Sequence, residues 1–369
     1  MADADPWHFG RSDLARRTLM LLADGPARAL TLFAPRRTGK TEFLMKDLGP
    51  LAEAEGHRAI YVSFWQEPLA PLAALLHALE TNLKRGGLGE RLLRTGRALA
   101  PKLKLSMPMV GQAEVDLSTL AGKPPSDLLL HLDDLLGRVS TGIKPTILML
   151  DEVQELARSQ DNEALVAALR TSLDKRSDQL RTVFTGSSRE ALASMFAARQ
   201  APFFHFATPI DLPPLGEPFV DHILSTMADV AGRRPPRRQM FAAFKAVHGN
   251  PYYFRTVVEA MLLNPSLDAS GAVEDVRGRV AAELGFPHAW LSLTPLQRAV
   301  AKTLLEHAKP FSRDSRSAIA GRLGIEPPSP SRVQAALRRL ERLGLVDRRN
   351  GGWVPADAEW ADWVREAEV

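Results

Sequence analysis

The chain has 369 residues, 45% of them apolar and 24% charged, with 47 Lys and Arg against 43 Asp and Glu for a net charge of +4. That balance excludes a fibrous or extensively disordered chain and points to two or three globular domains. The lack of Cys removes disulfides, thiol catalysis and Cys-ligated zinc and fits a cytoplasmic setting, while no apolar run suits a membrane helix and the acidic start is not a signal peptide.

Short apolar runs alternate with helical periodicity through residues 1–215, the pattern of an α/β domain with a parallel sheet and crossover helices. Strands are expected at Ala29–Phe33, Ala59–Phe64, Thr146–Leu150, Arg181–Thr185 and, more weakly, Ile210–Leu212. All read as runs without polar alternation, as for strands covered on both faces. Helices are expected at Arg11–Ala23, Lys40–Ala54, Leu69–Lys84, Ser126–Val139 and Asn162–Gln179. Residues 85–123 are irregular, with weak alternation at Lys104–Met107 and Glu114–Leu117, and read as a variable insertion or a hairpin. Pro209, Pro213, Pro214 and Pro218 close the sheet domain. Within 216–285, helical periodicity runs from Phe219 to Glu283, broken by a basic, Pro-rich turn at Gly232–Gln239, and residues 286–369 read as three helices, Pro295–Ala308, Ser315–Leu323 and Ser331–Leu343, followed by a hairpin about Asn350-Gly351-Gly352. Three helices and a β-turn wing are the pattern of a winged helix.

The strongest motif runs from Ala34 through Pro35, Arg36, Arg37, Thr38, Gly39, Lys40 and Thr41, between an expected strand and an expected helix. It matches the phosphate-binding loop, with Ala in place of the first Gly. Backbone N–H groups there and at the helix start, as far as Glu42, would face an anion. Lys40 would reach the β- and γ-phosphates and the Thr41 hydroxyl would ligate Mg²⁺, so ATP with Mg²⁺ is the expected ligand. A second apolar strand ends in Asp151 and Glu152, the first placed to hold the metal and the second to orient or deprotonate an attacking water. A third ends Thr185-Gly186-Ser187-Ser188, where a hydroxyl could meet the γ-phosphate or the water, or simply cap the helix at 189–198.

Taken in order, Phe9-Gly10-Arg11, the phosphate loop, Leu150-Asp151-Glu152, Gly186-Ser187-Ser188 and Gly249-Asn250-Pro251-Tyr252-Tyr253 resemble the archaeal-type ATPases, a branch of the signal-transduction ATPases with numerous domains within the AAA+ class. The resemblance runs from about Trp7 to the end of the chain, where Gly352-Trp353-Val354-Pro355 is similar to that family's terminal winged helix. It implies a P-loop sheet with helices on both faces, then a helical lid and a winged helix, in a homo-oligomer. It also implies Arg11 near the base and phosphates, Phe9 or Trp7 over the base, Pro251 touching adenine from the lid, and Ser187 or Ser188 sensing the γ-phosphate. By residues alone, Gly249-Asn250-Pro251 is a turn between helices. One departure stands out: the family's Gly-Arg before the last strand is here Phe203-Phe204-His205-Phe206-Ala207, with Arg189 and Arg199 out of register. An arginine finger is worth about 10³–10⁵ in rate, so turnover is expected to be slow or to need another residue or partner.

The third helix of the C-terminal region has an apolar stripe of Val333, Ala336, Leu337, Leu340 and Leu343, with Ser331 as its expected cap. Its other face carries Arg332, Arg338, Arg339 and Arg342, and Arg348 follows in the wing. This could place a recognition helix in double-stranded DNA, or be a solvated face used for docking. The nine His show no metal spacing. Three functions remain open: an ATP-dependent switch assembled on DNA, a signalling switch that recruits an unknown protein partner, and a nucleotide-bound scaffold with negligible turnover.

Overall fold

The computed structural model describes residues 5–66, 70–94, 126–187, 192, 195–196, 199, 201–307, 309–349 and 351–368, with only the backbone at 85–94 and 349. The chain forms two compact units, His8–Pro214 and Leu215–Val369, the latter joined by the segment ending at Trp7. The backbone therefore passes from one unit to the other twice, between Trp7 and His8 and between Pro214 and Leu215.

The first unit is an α/β layer structure. Its strands are β1 (Ala29–Phe33), β2 (Ala59–Ser63), β3 (Thr146–Asp151), β4 (Leu180–Gly186) and β5 (Thr208–Asp211), in one parallel sheet ordered β2-β3-β4-β1-β5. Successive side chains alternate between faces. Leu30, Leu32, Ile147, Met149 and Val183 pack with α1 (Ser12–Ala23) and the helix after the phosphate loop. Ala29, Leu148, Leu150, Leu180 and Phe184 pack on the other face with α4 (Pro71–Arg94), α5 (Ser126–Val139) and α6 (Glu163–Lys175).

The helix after the phosphate loop starts as α2 (Lys40–Glu42), widens into a π-helical turn at Phe43–Leu48, and continues as α3 (Gly49–Ala54). Pro50 explains the widening. Its ring would strike the Lys46 carbonyl of a regular α-helix, and a π turn removes that clash while keeping the helix running.

Two expectations about the sheet unit are corrected. The outer strands are not covered on both faces: β2 alternates buried and half-buried residues, and β5 is mostly exposed. Both are edges, and Pro209 in β5 is tolerated because an edge strand can forgo one donor. Helix α4 runs on to Arg94 rather than stopping at Lys84, across Gly86, Gly87 and Gly89. Once nucleated on buried Leu72, Leu75 and Leu79, a helix bears each glycine at about 1 kcal/mol. The rest of the expected insertion, Ser188 and most of 189–198 lie outside the described residues.

In the second unit, α7 (Glu217–Ala231), α8 (Arg237–Ala246), α9 (Pro251–Leu263) and α10 (Ala269–Glu283) form a helical region in which Phe254 meets Phe219 and Phe244 edge on and these two rings pack tilted. After the short α11 (Phe286–Leu291) come α12 (Pro295–Glu306), α13 (Arg313–Leu323) and α14 (Pro330–Arg342). An antiparallel hairpin, β6 (Val346–Arg349) and β7 (Gly352–Pro355), follows. A terminal α15 (Ala358–Glu366), absent from the sequence reading, adds Trp360 and Val364 to the core beside Phe286 and Trp290. The cap of α14 is Ser329, not Ser331, because Pro330 takes the first helical position, where its missing N–H is harmless.

Candidate functional site

The phosphate loop, α2 and the carboxyl ends of β3 and β4 meet at one end of the sheet, where parallel α/β sheets open toward ligands. The loop carries two left-handed residues, Gly39 at φ 94° and Arg37 at φ 62°. Glycine takes that conformation freely, whereas a side chain costs roughly 1–2 kcal/mol. A Cβ on Gly39 would meet nothing within 4 Å, so the residue serves backbone shape and open space rather than packing.

Lys40 is only 4% exposed. Its ammonium donates to the carbonyls of Ala34 (2.7 Å) and Pro35 (2.9 Å) and lies 3.9 Å from Glu152 Oε1. Burial lowers its pKa, and Glu152 and Asp151 oppose that shift. The loop is thus closed on its own cation.

Asp151 is 1% exposed and receives three hydroxyls. Thr41 Oγ1 (2.7 Å) and the Tyr61 phenol (2.9 Å) donate to Oδ2, and Thr185 donates to Oδ1. Burial, with Asp151 beside it, pushes the Tyr61 pKa far above its usual value. Tyr61 was missed in the sequence, and Thr185, read there only as part of a strand end, was given no role toward Asp151. Tyr61 sits inside a strand whose neighbour only the sheet order reveals.

Glu152 turns the chain out of β3 in the left-handed region, φ 56° and ψ 45°. Its Oε2 accepts from Ser187 Oγ (2.7 Å), Ser187 N (3.2 Å) and Gln154 Nε2, which leaves Oε1 toward Lys40. Gln154 was also missed, because it stands in the 3₁₀ turn Val153–Arg158 that follows the acids.

The other expected residues are distributed as follows. Arg11 donates to the Thr38 carbonyl (3.3 Å) and to the Pro213 carbonyl, bracing the loop from outside, and burial lowers its pKa. Phe9 is half-buried, and Glu42 lies in the first turn of α2, 3.0 Å from Lys46. Pro35 and Arg36 are exposed. The Arg36 guanidinium stacks 4.7 Å from the ring centre of Trp65, which is 45% exposed just beyond β2. An exposed stack of this kind is worth about 0.5–1 kcal/mol. Pro251 belongs to the second unit, at the first turn of α9, and Asn250 caps it by accepting from Tyr252 N and Tyr253 N. Phe203 and Phe206 pack against Phe184, so the segment without an arginine is part of the sheet unit's aromatic core.

On α14, Val333, Ala336, Leu337 and Leu340 are buried. Arg332, Arg338 and Arg342 are exposed and Arg339 is half-exposed, and none of the four has an ion-pair partner among the described residues. Arg348 lies 5.0 Å from the Trp353 ring centre. Among the described residues no three His, Asp or Glu cluster as a metal cage, and no helix is long and apolar enough to cross a membrane.

No family model and no curated protein matches the sequence. Solved structures do match the fold. A Walker-type ATPase of Pyrococcus abyssi is similar at 17% identity and a TM-score of 0.61, over 97% of this chain and 96% of that one. The ORC2 protein of Aeropyrum pernix, in ADPNP–ADP complexes, is similar at 17% identity and a TM-score of 0.54, over 95% and 92%. Its ADP form gives 16% and 0.56, over 96% and 91%. At these identities the likeness establishes the fold alone, a parallel α/β sheet followed by a helical C-terminal region.

Proposed function

We propose that the protein binds ATP with Mg²⁺ at the phosphate loop and hydrolyses it slowly, as a switch that assembles on or regulates a complex on DNA. The observation that carries the reading is the convergence of Lys40, Thr41, Asp151, Glu152 and Ser187 within one set of hydrogen bonds. The donor set fits Mg²⁺, which keeps waters and substrate oxygens and needs only a hydroxyl and a carboxylate from the protein; Thr41 Oγ1 and Asp151 Oδ2 are 2.7 Å apart. When bound, the ion would offset charge on the phosphates.

The side chains divide the work. Lys40 exchanges two carbonyls for phosphate oxygens. Thr41 and Asp151 hold the metal, with Tyr61 and Thr185 keeping the carboxylate in place. Glu152 orients the water through Oε1 and Ser187 holds its other oxygen; Ser188 stands outside the described residues. Phe9 would cover the base, and the chain is read as domains at 1–215, 216–285 and 286–369. The absence of an arginine at 203–207 favours slow turnover, and the scaffold without turnover is the limiting case.

DNA is favoured over a protein partner alone by the Arg332, Arg338, Arg339 and Arg342 guanidiniums of α14, which have no ion-pair partner among the described residues, since such surface cations are the feature that phosphate backbones reward. The order of three helices and a hairpin supports reading this region as a winged helix. A homo-oligomer in a cytoplasmic setting completes the proposal.

The test is equilibrium binding of Mg-ADP and of a non-hydrolysable Mg-ATP analogue, with turnover measured separately. Lys40→Ala is expected to weaken both by at least about 10–100-fold, the worth of a lost charged hydrogen bond. Glu152→Gln should bind both and lose turnover. Tight binding by the Lys40 variant would reject the site.

A further inference from the structure

The sheet order makes the Arg36–Trp65 contact unusual. Arg36 belongs to the loop after β1, and Trp65 follows β2, so β4 and β3 lie between their strands. Three strand spacings amount to about 14 Å. An extended arginine meeting an indole can close that distance only by passing over the ends of β4 and β3, which carry Ser187, Asp151 and Glu152. The pair is exposed and the stack is weak, so the guanidinium can leave it readily. Arg36 also acts electrostatically on Lys40, whose ammonium it disfavours. Two cations thus face one cradle, while the acids beside it are already engaged by hydroxyls, Gln154 and Lys40.

Resting on the nucleotide reading above, we infer that Arg36 is a γ-phosphate contact supplied in cis: its guanidinium leaves Trp65 for the terminal phosphate of a nucleoside triphosphate and returns to the indole when only the diphosphate is present. The loop amides hold the phosphates common to both nucleotides and survive any side-chain change at position 36. The guanidinium answers to the third phosphate, which makes Arg36 the residue that distinguishes the two states. It places on this chain a charge that the segment 203–207 does not provide.

The experiment compares affinities for Mg-ADP and for a non-hydrolysable Mg-ATP analogue in wild type, Arg36→Ala and Arg36→Lys. Tryptophan emission is recorded in wild type and in Trp65→Phe. Arg36→Ala should lose about 10–100-fold in analogue affinity with Mg-ADP affinity retained, and Arg36→Lys should recover part of the loss. The retained Mg-ADP binding shows that the variant is folded. Wild-type emission should differ between the analogue and Mg-ADP complexes, and Trp65→Phe should abolish that difference. Equal losses for both nucleotides, or no loss for the analogue, would overturn the inference while leaving the nucleotide site standing. If wild type binds neither nucleotide, the site and the inference fall together.

Discussion

Glu152 shows how tightly the reacting end is set. Its left-handed backbone is disfavoured for any residue with a Cβ, and Ser187 and Gln154 hold the carboxylate that results. Gly186 makes this possible. A Cβ there would lie 2.5 Å from Gln154 Oε1 and 2.8 Å from Leu192 Cγ. Gly186→Ala must therefore push Gln154 off Glu152. We expect a loss of about 1–3 kcal/mol in stability, as for an overpacked core, and a larger fall in turnover than in Mg-ADP affinity. Thermal melts beside binding and turnover measurements check this; an equal fall in both would mean general damage. The acids, the loop and Ser187 were legible in sequence because each ends an apolar run. Gln154, Tyr61 and Thr185 were not, because their roles come from a 3₁₀ turn and from strand neighbours.

Between elements, α5 and the end of α6 are joined by Asp133. Its carboxylate accepts from Ser172 Oγ (2.6 Å) and Arg176 Nη1 (2.7 Å), while Arg176 Nη2 donates to its backbone carbonyl (2.9 Å). The Arg176 and Ser172 bonds hold its pKa well below the usual carboxylate range. A carboxylate depressed by folding stabilises fully above its unfolded pKa of about 3.9 and loses that contribution as the pH falls toward the folded value. Asp133→Asn should cost about 1–2 kcal/mol near neutral pH, given the partial exposure of the site, and should flatten the acid limb of stability below about pH 4. Denaturant melts from pH 7 to pH 2 measure it; an unchanged acid limb would place the acid sensitivity elsewhere. Strand and helix cores were readable from apolar runs, but the edges were not. The exposure of β5 depends on having one neighbour, and the length of α4 on the cooperativity that carries a helix past three glycines.

At the scale of the molecule, a net charge of +4 is too small to decide the partner, and the placement of charge says more. Reversing Arg338 and Arg339 to Glu should weaken duplex binding, measured by anisotropy of labelled DNA at several salt concentrations. The slope of log affinity against log salt should fall by about 2, one for each lost phosphate contact. Mg-ADP affinity should not change. An unchanged slope would move the DNA contact off α14 and favour a protein partner. The bonds of Arg11 have a consequence within the sheet unit, which runs from His8 to Pro214. One guanidinium at its start binds the Pro213 carbonyl at its end and the Thr38 carbonyl of the phosphate loop. The loop is therefore clasped to both ends of the segment that carries it, so fraying at either end of that unit would be felt by the phosphates.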